Sequence, residues 1–218
     1  MKIGVFDSGV GGLSMAQAIQ AAMQEAEVLL RDDRQHIPYW KHTSDELLGF
    51  VTPILQDLVN EGCLVIVVAC NTVSTTIIDE LRQRIEVPLI ATEPMVKPAA
   101  ASTKSGVIAV CATPATLASQ RYAELKQTYA SDLTVLEPDC SDWSIMIEAN
   151  QIDYQKIETE ISELLKAEVD TIVLGCTHYH WIETEIKELA AGHALVIQPE
   201  PAIIKQLQRV IDNLPTER

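Results

Sequence analysis

The sequence predicts an α/β protein of two similar lobes, each built on a parallel sheet, related by a pseudo-twofold and facing each other across a cleft. Three observations carry that expectation. Short apolar runs of strand length alternate with segments of helical periodicity, the pattern of βαβ units. The runs are nearly unbroken in hydrophobicity, as in strands that helices cover on both faces. The features of the first half also recur in the second. Asp7 precedes Cys70 by 63 positions, Thr113 precedes Cys176 by 63 positions, and each half closes on an apolar run leading into Glu-Pro.

The elements follow in order. I-G-V-F (3–6) is the first strand, and the turn Asp7-Ser8-Gly9-Val10-Gly11-Gly12 after it opens a helix. A helical pattern over 44–60 leads to the strand L-V-I-V-V (64–68), which runs out at Cys70. A second pattern over 74–85 leads to V-P-L-I (87–90). The second half repeats this arrangement with V-I-A-V (107–110), helices over 114–128 and 154–167, T-I-V-L (171–174) running out at Cys176, a helix over 181–191 and A-L-V-I (194–197). The first lobe is therefore 1–93, completed by a C-terminal helix over 201–218, and the second is 94–200. The two Glu-Pro steps mark the crossings, because the residue before a proline avoids the helical region.

Composition excludes several classes. A net charge of −15 and a pI near 4.6 repel phosphate backbones, so nucleic acid is not an expected partner. No apolar run reaches the roughly 18 residues of a membrane span, and M-K-I-G-V-F-D reads as a strand rather than a signal peptide. The five cysteines are odd in number and form no C-x-x-C. A disulfide framework is thus not expected, and a reducing cytoplasm is the natural setting. Cys63 and Cys111 sit in or beside apolar runs as small core residues, while the part played by Cys140 stays open.

Cys70 and Cys176 are different. Each ends a strand, one per lobe, and each is followed by polar residues, Asn71-Thr72 and Thr177-His178, that suit gripping the carboxylate and amine of an amino acid. If the lobes face each other, two thiols meet one ligand. A thiolate on one side and a thiol on the other suit the removal and return of a proton at a carbon. His178, two residues from Cys176, and Asp7, at the end of a strand expected to lie beside that of Cys70, are positioned to exchange a thiol proton. The glycine-rich turn after Asp7 is a poor G-x-G-x-x-G and lacks G-K-S/T. It reads as a tight substrate-facing turn with Ser8 as a donor. Cys176, His178 and His180 offer a zinc-like C-x-H-x-H, but no second cluster accompanies it.

At this point D-S-G-V-G-G-L-S (7–14), A-C-N-T-V-S (69–74) and G-C-T-H-Y (175–179) together resemble the bacterial glutamate racemases. The resemblance extends through Pro38-Tyr39, Glu93-Pro94, A-T-P-A-T-L-A-S-Q-R-Y (112–122) and the stretch from Cys140 to Glu148. It implies two lobes with the site between them, no cofactor and no metal. It also implies a homodimer that interconverts L- and D-glutamate for peptidoglycan. Cys70 and Cys176 then match the acid/base pair, and Asp7, Glu148 and His178 match the residues assisting them. Ser8, Pro38, Tyr39, Asn71, Thr72, Thr113, Thr116 and Thr177 match substrate contacts. Four positions depart from the family pattern. Trp40 stands where P-Y-G has glycine, so it joins the expected contacts as a changed one. His180 replaces a proline, Cys140-Ser141 replaces Cys-Pro, and Gln198-Pro199-Glu200 replaces D-S-G. Two alternatives follow from them, an aspartate or broader amino acid racemase and a catalytically weak binding protein on the same scaffold.

Overall fold

The computed structural model describes residues 1–214. The chain divides into two compact units, Met1–Thr92 with the segment from Pro199 onward, and Glu93–Gln198. Residues 215–218, the end of the helix expected over 201–218, lie outside the described residues.

The first unit runs β1 (Lys2–Asp7), α1 (Gly12–Ala22), β2 (Glu27–Asp32), α2 (Ser44–Asn60), β3 (Cys63–Val68), α3 (Asn71–Thr76), α4 (Ile78–Arg84) and β4 (Leu89–Ala91). The second runs α5 (Val96–Ser102), β5 (Val107–Ala112), α6 (Pro114–Ala118), α7 (Gln120–Tyr129), β6 (Thr134–Leu136), α8 (Trp143–Glu148), α9 (Tyr154–Lys166), β7 (Thr171–Gly175), α10 (Glu183–Ala190) and β8 (Leu195–Ile197). The chain then returns as α11 (Glu200–Asp212) to the first unit. There Ile203 and Leu207 join Ile3, Val5, Met15 and Ile19 in one apolar cluster. A larger cluster on the other side of the same sheet gathers Phe6, Leu55, Leu58, Ile66 and Val68. The unbroken apolar strands are therefore those with helices over both faces.

Each unit holds one four-stranded parallel sheet, ordered β2-β1-β3-β4 in the first and β6-β5-β7-β8 in the second. This shared order is the structural form of the sequence repeat. It also places a topological switch point in each sheet. From β1 the chain winds outward to β2 on one side and back to β3 on the other, so the order reverses between β1 and β3. A crevice opens at the carboxyl ends of strands at such a switch point. Asp7 ends β1, and Cys70 lies just beyond the end of β3. In the second unit Thr113 and Cys176 follow the ends of β5 and β7 in the same way.

Some elements differ from the sequence expectation, for physical reasons. The edge strands β2 and β6 were not expected. β2 is charged at both ends and only half-buried along its length, and β6 has three residues, so neither gives a continuous apolar run. The helix expected over 74–85 is two helices that break at Ile77. Thr75 and Thr76 donate their hydroxyls back to the carbonyls of Asn71 and Thr72, at 2.8 and 2.6 Å, which competes with the helical ladder. The helix expected over 114–128 is interrupted at Ser119, whose hydroxyl caps α7 by accepting from Tyr122 N–H at 3.1 Å. No helix among the described residues is long and apolar enough to cross a membrane.

Candidate functional site

In the first unit Ser8, Cys70, Asn71, Thr72 and Asp7 are all buried, clustered at the carboxyl ends of β1 and β3. The ladder between those strands continues past its last pair through Ala69 N–H to Phe6 O at 2.8 Å, which brings the Asp7 and Cys70 ends side by side. Ser8 Oγ lies 3.4 Å from Cys70 Sγ, close enough for a hydrogen bond in which either atom donates. Asp7 is fully buried, and its Oδ1 accepts the Gly9 N–H at 2.9 Å. A glycine at position 12 is required by this arrangement. A Cβ there would stand 2.5 Å from Asp7 Cβ, so any side chain would push the carboxylate out of place. Both polar atoms of the Asn71 side chain are buried with no hydrogen-bond partner among the described residues. Such groups are costly unless something pairs them.

The segment leading to α2 carries Pro38, Tyr39 and Trp40. Tyr39 is buried and packs on Phe6 of β1 with ring centroids 6.4 Å apart. Its hydroxyl donates to Asp33 Oδ2 at 2.6 Å. Burial, then the hydrogen bond and charge of Asp33, push the phenol far above the ordinary tyrosine range, so it stays protonated. Trp40 is half-buried, with Lys41 Nζ 5.2 Å above its ring. Its indole N–H is enclosed and has no partner among the described residues.

In the second unit the polar residues form a chain. Cys176 Sγ lies 3.8 Å from His178 Nδ1, and His178 Nε2 lies 2.9 Å from Glu148 Oε2 at the end of α8. Cys176 and His178 are buried. A carboxylate at Nε2 favours the tautomer with its proton there, which leaves the Nδ1 lone pair facing the thiol. The imidazole is thus set to take a proton from Cys176 and to be stabilised by Glu148 as it does so. Thr177 is buried beside them. Thr113 and Thr116 stand at the end of β5, where Thr113 Oγ1 accepts the Thr116 N–H at 3.4 Å and donates to its hydroxyl at 3.0 Å. Gly175 is tightly held, since a Cβ would meet Ala112 Cβ at 3.0 Å and the Cys111 carbonyl at 3.2 Å.

The remaining cysteines are core. Cys63, Cys111 and Cys140 are buried, and all five thiols are free. Burial, and next a hydrogen bond with Cys111, pushes the Cys140 thiol well up. Cys140, 1% exposed, is thus a core residue, and its carbonyl accepts the Tyr179 hydroxyl at 2.8 Å. Cys176, His178 and His180 do not form a metal cluster. Among the described residues no group of three or more His, Cys, Asp or Glu side chains is set to hold an ion.

Sequence reasoning alone did not reach Asp33 or His36. The one signal was an acidic residue six positions before Tyr39. Glu148 came only through the resemblance, because 30 residues separate it from His178.

A family model described as Asp/Glu/Hydantoin racemase matches residues 3–207. The glutamate racemase of Herpetosiphon aurantiacus is 35% identical over 213 residues, covering 96% of this chain and 84% of the relative. That of Pseudomonas aeruginosa is 37% identical over 214 residues, covering 96% and 81%. Among solved structures, Escherichia coli glutamate racemase, in complex with L-glutamate and the activator UDP-MurNAc-Ala, superposes with a TM-score of 0.91 at 25% identity, covering 99% of this chain and 84% of that one.

Proposed function

This chain belongs to the Asp/Glu/hydantoin racemase family and is an amino acid racemase of the glutamate racemase type, and on that premise we propose that it interconverts L- and D-glutamate without a cofactor, with Cys70 and Cys176 as its two acid/base groups. One thiolate removes the α-proton from one face and becomes a thiol. The other thiol gives its proton to the opposite face and becomes the thiolate, so the centre inverts and the protons balance. The thiolate is the competent base, and each sulfur needs a neighbour able to take or return its proton. His178, backed by Glu148, does this for Cys176. Asp7 does it for Cys70, with Ser8 as a hydrogen-bond partner of the sulfur. Asn71, Thr72, Thr113, Thr116, Thr177 and the Pro38–Trp40 turn hold the substrate. The observation that carries the reading is that both cysteines stand at the matching strand end of a repeated sheet, each with its own polar side chains close to sulfur.

The wider setting belongs to the same proposal. D-glutamate is supplied for peptidoglycan, the enzyme works in the cytoplasm with its thiols reduced, and two copies form a homodimer. The free thiols support the reducing, cytoplasmic setting.

The test is incubation of the purified protein with each enantiomer of glutamate in deuterium oxide, following α-deuteration and optical rotation together. Inversion with incorporation of solvent deuterium is expected from either enantiomer. Absence of both would end the proposal. One observation favours a second reading: the enclosed indole of Trp40 stands where the family has glycine and can narrow the site. Faster exchange of aspartate than of glutamate in the same experiment would select it.

A further inference from the structure

The segment between β2 and α2 that carries Pro38, Tyr39 and Trp40 contains only two three-residue 3-10 turns, Arg34–His36 and Tyr39–Lys41. So short a backbone motif fixes little by itself, since a single turn is marginal without packing. Side chains fix it instead. Asp33 is 4% exposed. Its Oδ2 accepts the Tyr39 hydroxyl at 2.6 Å and lies 2.7 Å from His36 Nδ1, and its Oδ1 lies 2.8 Å from the same nitrogen. The His36 ring lies flat on Phe50 of α2, with centroids 3.8 Å apart and planes 5° from parallel. His42 meets the edge of the same Phe50 at 5.2 Å and donates Nε2–H to the His36 carbonyl at 2.8 Å. Phe50 thus anchors both histidines, and through His36 and Asp33 it anchors Tyr39.

The direction of each hydrogen bond is set. Asp33 can only accept. The Tyr39 phenol stays protonated and donates. His36 donates from Nδ1 whether its ring is neutral or charged, because the Nδ1 proton is present in the required tautomer and in the cation alike. A buried carboxylate losing one of these donors would be left partly unpaired, at a cost larger than the net worth of the bond.

We propose that Asp33 and His36 are positioning residues of the substrate site, acting through Tyr39 to hold the Pro38–Trp40 turn against the Asp7 and Cys70 ends of β1 and β3. This rests on the reading of Pro38, Tyr39 and Trp40 as substrate contacts. They touch neither the sulfur atoms nor the proton in flight, so their loss weakens substrate holding and leaves the proton transfers intact. That signature is a raised KM at constant kcat.

The experiment uses His36→Phe, which keeps a ring on Phe50 and removes the Nδ1–H, and His36→Asn, whose amide nitrogen can occupy the Nδ1 position. Both are compared with the parent for L- and D-glutamate, with melting temperature as a control. His36→Phe is expected to raise KM for both enantiomers about fivefold to tenfold with kcat within about twofold. His36→Asn is expected to recover KM to within about twofold of the parent. Asp33→Asn, which keeps an oxygen for Tyr39 and faces His36 with an amide, is expected to fall between them. A His36→Phe protein with parental KM overturns the proposal. So does a loss of kcat as large as the rise in KM, or a defect that His36→Asn leaves in place, since both mark a merely structural role. A parent protein that racemises neither enantiomer sinks the proposed function and this inference with it, whereas an active parent with unaffected variants sinks the inference alone.

Discussion

The surroundings of Cys70 and Cys176 make the most informative comparison in the molecule. Both follow an inner strand of a four-stranded parallel sheet, next to the strand that begins its unit's fold. The residue aligned with Asp7 is Thr113, and the one aligned with Thr72 is His178. In the proposed mechanism the acidic partner in the first unit thus comes from the neighbouring strand end, and the imidazole partner in the second comes from the loop of the cysteine itself, 3.8 Å away. The repeat places a cysteine at the same strand end in both units, while the polar residues beside it differ. A racemase has mirror-image reactants, yet no protein made of L-residues can mirror itself. The two unlike surroundings fit the proposed mechanism, in which each thiol has its own means of exchanging a proton.

The most direct way to break the comparison is to remove either sulfur. Cys70→Ser and Cys176→Ser should each lower kcat by about 10³-fold or more, in line with the loss of a general acid/base group, with unchanged melting. A serine hydroxyl is too weak an acid to stand in. Polarimetry on both enantiomers checks this, and near-parental two-way racemisation in either variant would remove the two-thiol mechanism.

The comparison sharpens when only one partner is altered. His178→Asn should cost about 10²-fold and Glu148→Gln about tenfold, the second less because it acts through the first. Enantiomers have equal free energies, so kcat/KM must fall equally in both directions. The asymmetry shows instead in the α-deuterium isotope effect, which should grow for the enantiomer whose proton Cys176 removes and shrink for the other, whose abstraction by Cys70 becomes reversible. Equal growth for both would mean that His178 serves the site as a whole.

The central strands were legible in the sequence because burial on both faces demands unbroken apolar runs, and V-V-A-C and V-L-G-C state the strand ends plainly. β2 and β6 were not legible, because β2 is half-exposed and charged at both ends and β6 has only three residues, whereas the other edge strands, β4 and β8, carry the apolar runs over 87–90 and 194–197. The breaks at Ile77 and Ser119 lie in side-chain hydrogen bonds that compete with helix, which apolar periodicity does not register. Within the candidate site, residues adjacent in sequence to a cysteine could be singled out from local chemistry. The Glu148–His178 pair and the Asp33–His36–Phe50 clamp could not, because each depends on how separate elements pack.

Glycines give a smaller test of the same contrast. Gly12→Ala drives a Cβ to 2.5 Å from Asp7, and Gly175→Ala drives one to 3.0 Å from Ala112. Overpacking of this kind costs about 1–3 kcal/mol. Gly12→Ala should lie at the upper end and also displace Asp7, so activity falls further than stability explains. Gly175→Ala should lose stability with activity following it. Denaturant melts alongside kcat/KM separate the two, and a Gly12→Ala protein with full activity would show that Asp7 is not needed in its present place.

The smallest expected effect is at Ser8. Its hydroxyl lies 3.4 Å from Cys70 Sγ, and its aligned position in the second unit is Pro114, which has no hydroxyl. Ser8→Ala therefore touches one sulfur only. If the hydroxyl donates to a thiolate, a charge-assisted bond is lost and the thiolate is less populated at a given pH. The rate of alkylation at Cys70 by iodoacetamide should then fall severalfold, with Cys176 unchanged in the same sample, as read by mass spectrometry of the two peptides. The racemisation rate should drop by about tenfold or less, since the net worth of a hydrogen bond to a charged group is roughly 1.5–3 kcal/mol and water or substrate can replace part of it. The sign carries the information. A rise in Cys70 alkylation would mean that Ser8 accepts from the thiol and holds the sulfur protonated, making Cys70 the resting acid and Cys176 the resting base.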